Sequence, residues 1–106
     1  MYSIKLTEIA AEALRSIDAK TRSQILAKID QLKEEPLLLG KALVGPLKEF
    51  RSVRAAGQRY RIIFKVLENQ IIVIVVAVGL RKSGDKKDIY ELMKKYIKVG
   101  ILGKDG

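Results

Sequence analysis

The chain contains no cysteine, no histidine and no tryptophan, and only two prolines in 106 residues. Without cysteine there can be no disulfide, no thiolate nucleophile and no zinc–thiolate centre. Without histidine there is no Ser-His triad, no imidazole ligand and no side chain that ordinarily titrates near pH 6.5. The longest uncharged apolar run, Ile71 to Leu80, is about half the length a membrane-spanning helix needs. The opening residues MYSIKLTEIAAEAL lack the basic-then-apolar order of a signal peptide, so a cytoplasmic protein with no membrane partner is expected. No Gly-x-x-x-x-Gly-Lys loop occurs, and no Gly-x-Gly-x-x-Gly follows a strand. Asp85 and Asp88 stand among lysines and read as loop and cap groups rather than a Mg²⁺ site. No metal and no cofactor are therefore expected, and the remaining chemistry belongs to Arg, Lys, Tyr, Ser/Thr and carboxylates.

What the chain does have is positive charge, unevenly placed. Lys and Arg number 21 against 12 Asp and Glu, a net charge of +9. Residues 1–40 hold six basic and six acidic side chains, whereas residues 41–106 hold fifteen and six. An excess confined to one part of a small protein is the footprint of a face that binds a polyanion, with nucleic acid foremost. The plainer reading is a solvated, soluble surface.

Hydrophobic periodicity organises the chain into one domain, 1–98, with a Gly-rich tail at 99–106. Tyr2, Ile4 and Leu6 alternate with polar residues, as in a half-buried strand. Ile9, Ala10, Ala13, Leu14 and Ile17 share one face of a helix that starts near Thr7. A second helix, for which Thr21 is the candidate cap, buries Ile25, Ile29 and Leu32 and is ended by Pro36. The two form an antiparallel hairpin. PLLLGKALVGPL is a linker with turns at Gly40, Gly45 and Pro46. KEFRSVRAAG breaks strict alternation, which predicts a strand with a bulge or an irregular start. RYRIIFKVL alternates cleanly, and QIIVIVVAVG is apolar on both faces, so it belongs in the middle of a covered sheet. Asp88 caps a last helix with Ile89, Leu92, Met93, Tyr96 and Ile97 inside. The order β-α-α-β-β-β-α describes an α+β domain in which an N-terminal strand and helical hairpin pack on an antiparallel sheet, closed by a C-terminal helix.

The basic residues gather on and after this sheet. Arg51, Arg54, Arg59 and Arg61 lie close together, Lys48 precedes them, and Arg81 follows the central strand with Lys82, Lys86 and Lys87 nearby. Guanidinium groups from neighbouring strands can hold phosphate oxygens through paired hydrogen bonds.

The run from Leu47 to Tyr90 resembles the RelE/ParE superfamily of bacterial and archaeal toxin–antitoxin modules. The residues that carry the likeness are Val53-Arg54, Tyr60-Arg61-Ile62-Ile63-Phe64, the Val-rich strand Val73–Gly79, Gly79-Leu80-Arg81 and Tyr90. The resemblance implies a toxin neutralised by a cognate antitoxin. In the RelE branch such a toxin enters the ribosomal A site and cuts mRNA, the ribose 2′-OH attacking the neighbouring phosphodiester. In the ParE branch the same scaffold inhibits DNA gyrase without cutting anything, and an inactive RNA- or ribosome-binding member is a further alternative. Arg61, Arg81 and Tyr90 match residues of the cleaving branch: the arginines would stabilise the transition state, and the phenol would act as general base or stacking platform. The RelE pattern also has two lysines where this chain reads Phe50 and Ser52. Arg51, the stronger candidate, or Lys48 would take over that role. Arg54, Arg59, Lys82, Lys86 and Lys87 would bind RNA, and Lys86 or Lys87 could reach the scissile phosphate in place of Tyr90.

Overall fold

The computed structural model describes residues 1–101. The elements run β1 (Ser3–Leu6), α1 (Glu8–Ser16), α2 (Ala19–Gln31), β2 (Lys41–Ala42), a single 3₁₀ turn (Gly45–Leu47), β3 (Arg51–Ala55), β4 (Tyr60–Leu67), β5 (Ile72–Leu80) and α3 (Ile89–Val99). The strands form one sheet in the order β1-β5-β4-β3-β2. All pairs are antiparallel except β1 with β5, which is parallel. This α+β architecture matches the expectation from the sequence, with two additions, the parallel edge strand and the short β2. The parallel pairing has a physical reason. An apolar β5 needs hydrogen-bonded neighbours on both edges, and β1 supplies the second one along Ile72–Val75.

Where β1 stops, α1 takes over that edge. Thr7 does two things there: its hydroxyl donates to the Val76 carbonyl and accepts from the Ala10 N–H at 3.1 Å, capping α1. The cap of α2 is Asp18, not Thr21. The Asp18 carboxylate accepts the Thr21 N–H at 3.0 Å, and the helix runs from Ala19 to Gln31, ending before Pro36. Aspartate ranks above threonine as a cap, and from position 18 its carboxylate reaches the N–H three residues on.

Two cores flank the sheet. On one side Leu14, Ile25, Ile29 and Leu32 of the helices meet Val53, Ile62, Phe64 and Val75. On the other, Ile89 and Met93 of α3 meet Phe50, Ile63, Val76 and Ala77. Ile62 and Phe64 are fully buried, each such side chain contributing about 1.5–3 kcal/mol. The irregularity in the sheet lies between β4 and β5, where Ile63 pairs with Ala77 and Phe64 with Val75, leaving Val76 over. β3, for which the sequence predicts a bulge or an irregular start, holds regular register with β4 from Arg51 to Ala55. α3 ends with Gly100 in the left-handed region at φ 74°. The rest of the expected tail, 102–106, lies outside the described residues.

Candidate functional site

The site is built where three strands and the start of α3 meet. Arg54 on β3 pairs with Arg61 on β4, and Arg61 pairs with Gly79 on β5. Two guanidinium-bearing residues directly opposite each other repel, and the β3–β4 turn holds them in place. The backbone carbonyl of Gln58 accepts from Arg61 Nη1 at 2.6 Å, and Gln58 Oε1 accepts from Arg54 Nη1 at 3.2 Å. That turn is unusual, with Ala56, Gly57 and Gln58 all at positive φ. Left-handed backbone costs a non-glycine residue roughly 1 kcal/mol, and such strain gathers at functional sites.

Gly79 opens the space above β5. A Cβ there would stand 2.8 Å from Ile89 Cδ1, so α3 begins close against the strand. This brings Asp88 and Tyr90 over the row of arginines. Asp88 is 1% exposed and fully engaged. Its carboxylate accepts from Arg81 Nη1 at 2.5 Å, from the Lys82 N–H at 2.6 Å and from the Tyr90 N–H at 3.1 Å. Burial pushes this carboxyl up, but the Arg81 hydrogen bond and the two backbone N–H donors outweigh it and hold the group below the usual carboxylate range. The Arg81 guanidinium lies over the Tyr90 ring, 4.7 Å from its centroid, a cation–π contact of about 0.5–2 kcal/mol. The Tyr90 hydroxyl sits 2.8 Å from Ser52 Oγ.

The result is a hollow of about 560 Å³ bordered by Ser52, Arg54, Arg61, Arg81 and Tyr90, with Lys28 of α2 and Lys41 of β2 at its rim. Among the described residues no carboxylate lines it. Its size suits a small ligand and its charge suits an anion. A second hollow of similar volume, about 580 Å³, lies at Leu6, Ile72, Ile74 and Ile101. It is mainly apolar and contains none of the arginines.

Of the sequence candidates, Arg54, Arg61, Arg81 and Tyr90 come together. Arg51 does not join them. It sits on the opposite face of β3 and donates to the Leu37 carbonyl at 3.0 Å, because alternation along a strand sends neighbours to opposite sides. Lys48 is exposed beyond the 3₁₀ turn and Arg59 is exposed on the β3–β4 turn; neither lines the hollow. Lys82, Lys86 and Lys87 are exposed in the loop before α3 and lie outside the lining. Ser52, one of the two positions aligned with the RelE lysines, itself faces the hollow, so neither proposed stand-in occupies that place.

Sequence reasoning missed Gln58, Lys28 and Lys41, and gave Asp88 only a capping role. For Asp88 a signal was present, a cap residue two positions before a tyrosine and seven after an arginine. Lys28 carries none, since it comes from the charge-neutral helical hairpin and meets the sheet only in three dimensions.

Comparison with known proteins follows the same lines. Residues 4–83 match the family described as the ParE toxin of the type II toxin–antitoxin system parDE. A RelE-like toxin protein of Escherichia coli is 26% identical over 91 residues, spanning 86% of this chain and 92% of its own length. The solved structure of the isolated E. coli RelE toxin superimposes with a TM-score of 0.68 at 22% identity, covering 92% of this chain and 99% of that one. A RelBE toxin–antitoxin complex from Mycobacterium tuberculosis gives 0.63 at 26% identity, covering 76% and 98%.

Proposed function

The chain belongs to the ParE toxin family of type II toxin–antitoxin systems, and from that premise we propose that it cleaves mRNA in the ribosomal A site and is neutralised by a cognate antitoxin. The observation that carries this reading is the hollow itself: three guanidinium groups and a phenol converge on a cavity that no carboxylate among the described residues lines. A gyrase-blocking surface needs no such cavity, whereas a phosphodiester in transit through a dianionic phosphorane does.

The reaction needs a 2′-oxygen to attack the adjacent phosphorus while the 5′-oxygen departs, leaving a cyclic phosphate and a 5′-hydroxyl. Arg61 and Arg81 would take the equatorial oxygens. Arg81 is prepared for this, because Asp88 grips Nη1 and the Tyr90 ring fixes the guanidinium plane, so little reorganisation remains at the moment of reaction. With Arg81 covering one face of Tyr90, the phenol is better placed to exchange a proton with the ribose hydroxyl or the leaving oxygen than to stack on a base. The antitoxin partner would present carboxylates to the same basic face; the M. tuberculosis neighbour is itself a toxin–antitoxin complex.

Purified protein incubated with programmed ribosomes tests the reading. New mRNA 5′ ends are expected, and Arg81→Ala or Arg61→Ala should lower the cleavage rate by about 10²–10³ each. The rate should show no inflection near pH 6.5, since no imidazole is present. Intact mRNA together with inhibited supercoiling by gyrase would replace this reading with the ParE-type activity.

A further inference from the structure

Another, smaller hollow of about 320 Å³ adjoins the site, formed by Lys28 of α2, Arg54 and the β3–β4 turn from Ala55 to Gln58. Lys28 and Arg54 border both hollows, so the two adjoin along these side chains as neighbouring parts of one groove. Neither lining includes a carboxylate among the described residues. Among the described residues Lys28 has no ion-pair partner, and Arg54 has only the neutral Gln58 side chain. Some basic residues elsewhere on the surface are matched, Arg15 with Glu8 and Glu12, Lys33 with Asp30 and Lys94 with Glu91; what sets Lys28 and Arg54 apart is that they border the same concavity. Unneutralised cations facing a common concavity repel one another and are relieved by an anion.

We propose that the Lys28–Arg54 hollow is a second phosphate subsite, which takes the phosphodiester next to the cleaved one on the same RNA strand. The inference rests on the function proposed above and extends it: Arg61 and Arg81 act at the reacting phosphate, while Lys28 holds the neighbouring linkage and sets which bond is presented. Arg54, bordering both hollows, lies between the two linkages. Lys28 is a positioning residue, since it touches no reacting atom. Its ammonium is a point charge without geometric demand, which suits a backbone linkage bound in any base context. The strained turn also has a function in this arrangement. By fixing Arg54 through Gln58 it keeps the groove continuous from one hollow to the next.

The test is a double substitution across the contact, one in the protein and one in the RNA. Ribosomes are programmed with mRNA in which the linkage on either side of the cleaved bond is replaced, one at a time, by an uncharged methylphosphonate. On native mRNA, Lys28→Ala is expected to raise the half-saturating protein concentration three- to tenfold with the saturated cleavage rate unchanged, and Lys28→Arg should restore it. On one of the two neutralised mRNAs the Lys28→Ala penalty should disappear, whereas the loss caused by Arg61→Ala should persist. A Lys28→Ala penalty of equal size on all three mRNAs, or no penalty at all, overturns the subsite while leaving the reaction standing. Absence of cleavage by the unaltered protein removes the reaction and the subsite together.

Discussion

Asp88 shows how one buried carboxylate can organise a basic site. It caps α3, holds the Lys82 backbone and orients Arg81, so three parts of the chain depend on one charge. Its carboxyl ionises more readily in the folded protein than in the unfolded chain. The unfolded chain therefore takes up the proton first as pH falls, and the stabilisation is complete above about pH 4 and lost below it. Asp88→Asn should lower stability by roughly 1–2 kcal/mol at neutral pH. This is less than a fully buried pair would lose, because Arg81 remains one-third exposed and can turn to water. In urea unfolding, the gap between the two proteins should stay constant from pH 7 to about 5 and close in acid. A gap that widened in acid would contradict the assignment. Ser52, a residue 3% exposed, is a second single-residue test: its hydroxyl has Tyr90 as partner. Ser52→Ala should cost about 1 kcal/mol of stability and lower cleavage more than Arg59→Ala, which alters an exposed side chain outside the hollow.

At the scale of elements, two glycines decide whether the pieces meet. Gly79 leaves the gap into which Ile89 fits. Gly79→Val fills that gap, and overpacking of this kind typically costs 1–3 kcal/mol. The displaced helix carries Asp88 and Tyr90, so activity should fall further than stability does. Retained cleavage in a stably folded Gly79→Val protein would show that α3 need not dock there. Gly40, at φ +69°, lies so close to β3 that a Cβ would stand 2.1 Å from the Ser52 carbonyl oxygen. Backbone cannot yield as a side-chain end can, and Gly40→Ala should lower stability by more than about 2 kcal/mol in thermal unfolding, from the left-handed backbone and the clash together. The sequence showed this glycine as a turn, but the contact that makes it obligatory joins positions far apart in the chain. The Val76 bulge has the same character. The strand pattern located β4 and β5 correctly, yet which residue is left unpaired depends on how the two strands are brought into register.

The whole molecule separates its charge by layer. The helical hairpin is neutral as a unit, whereas the sheet and everything after it carry the entire surplus. Among the described residues no helix is long and apolar enough to cross a membrane. Binding to RNA-bearing ribosomes should weaken steeply with salt, by a slope of about −0.7 for each phosphate contacted on a single strand. Two phosphates, the reacting one and its neighbour, give a slope of about −1.4, and Lys28→Ala should flatten it by about 0.7; a slope unchanged in that variant would place Lys28 outside the interface. The amino-acid sequence by itself determined the three helices, the four longer strands and their order, a first helix starting near Thr7, the cap at Asp88, the exclusion of thiol and imidazole chemistry, and a basic half. These follow from periodicity, composition and local hydrogen bonding, which act within a few residues. Only the tertiary structure decided that Arg54, Arg61 and Arg81 converge while Arg51 turns away, that Asp88 grips Arg81, and that Lys28 reaches the groove from the neutral hairpin. Convergence depends on strand register, on a one-residue bulge and on a helix resting against a glycine, and these are set by contacts between distant parts of the chain.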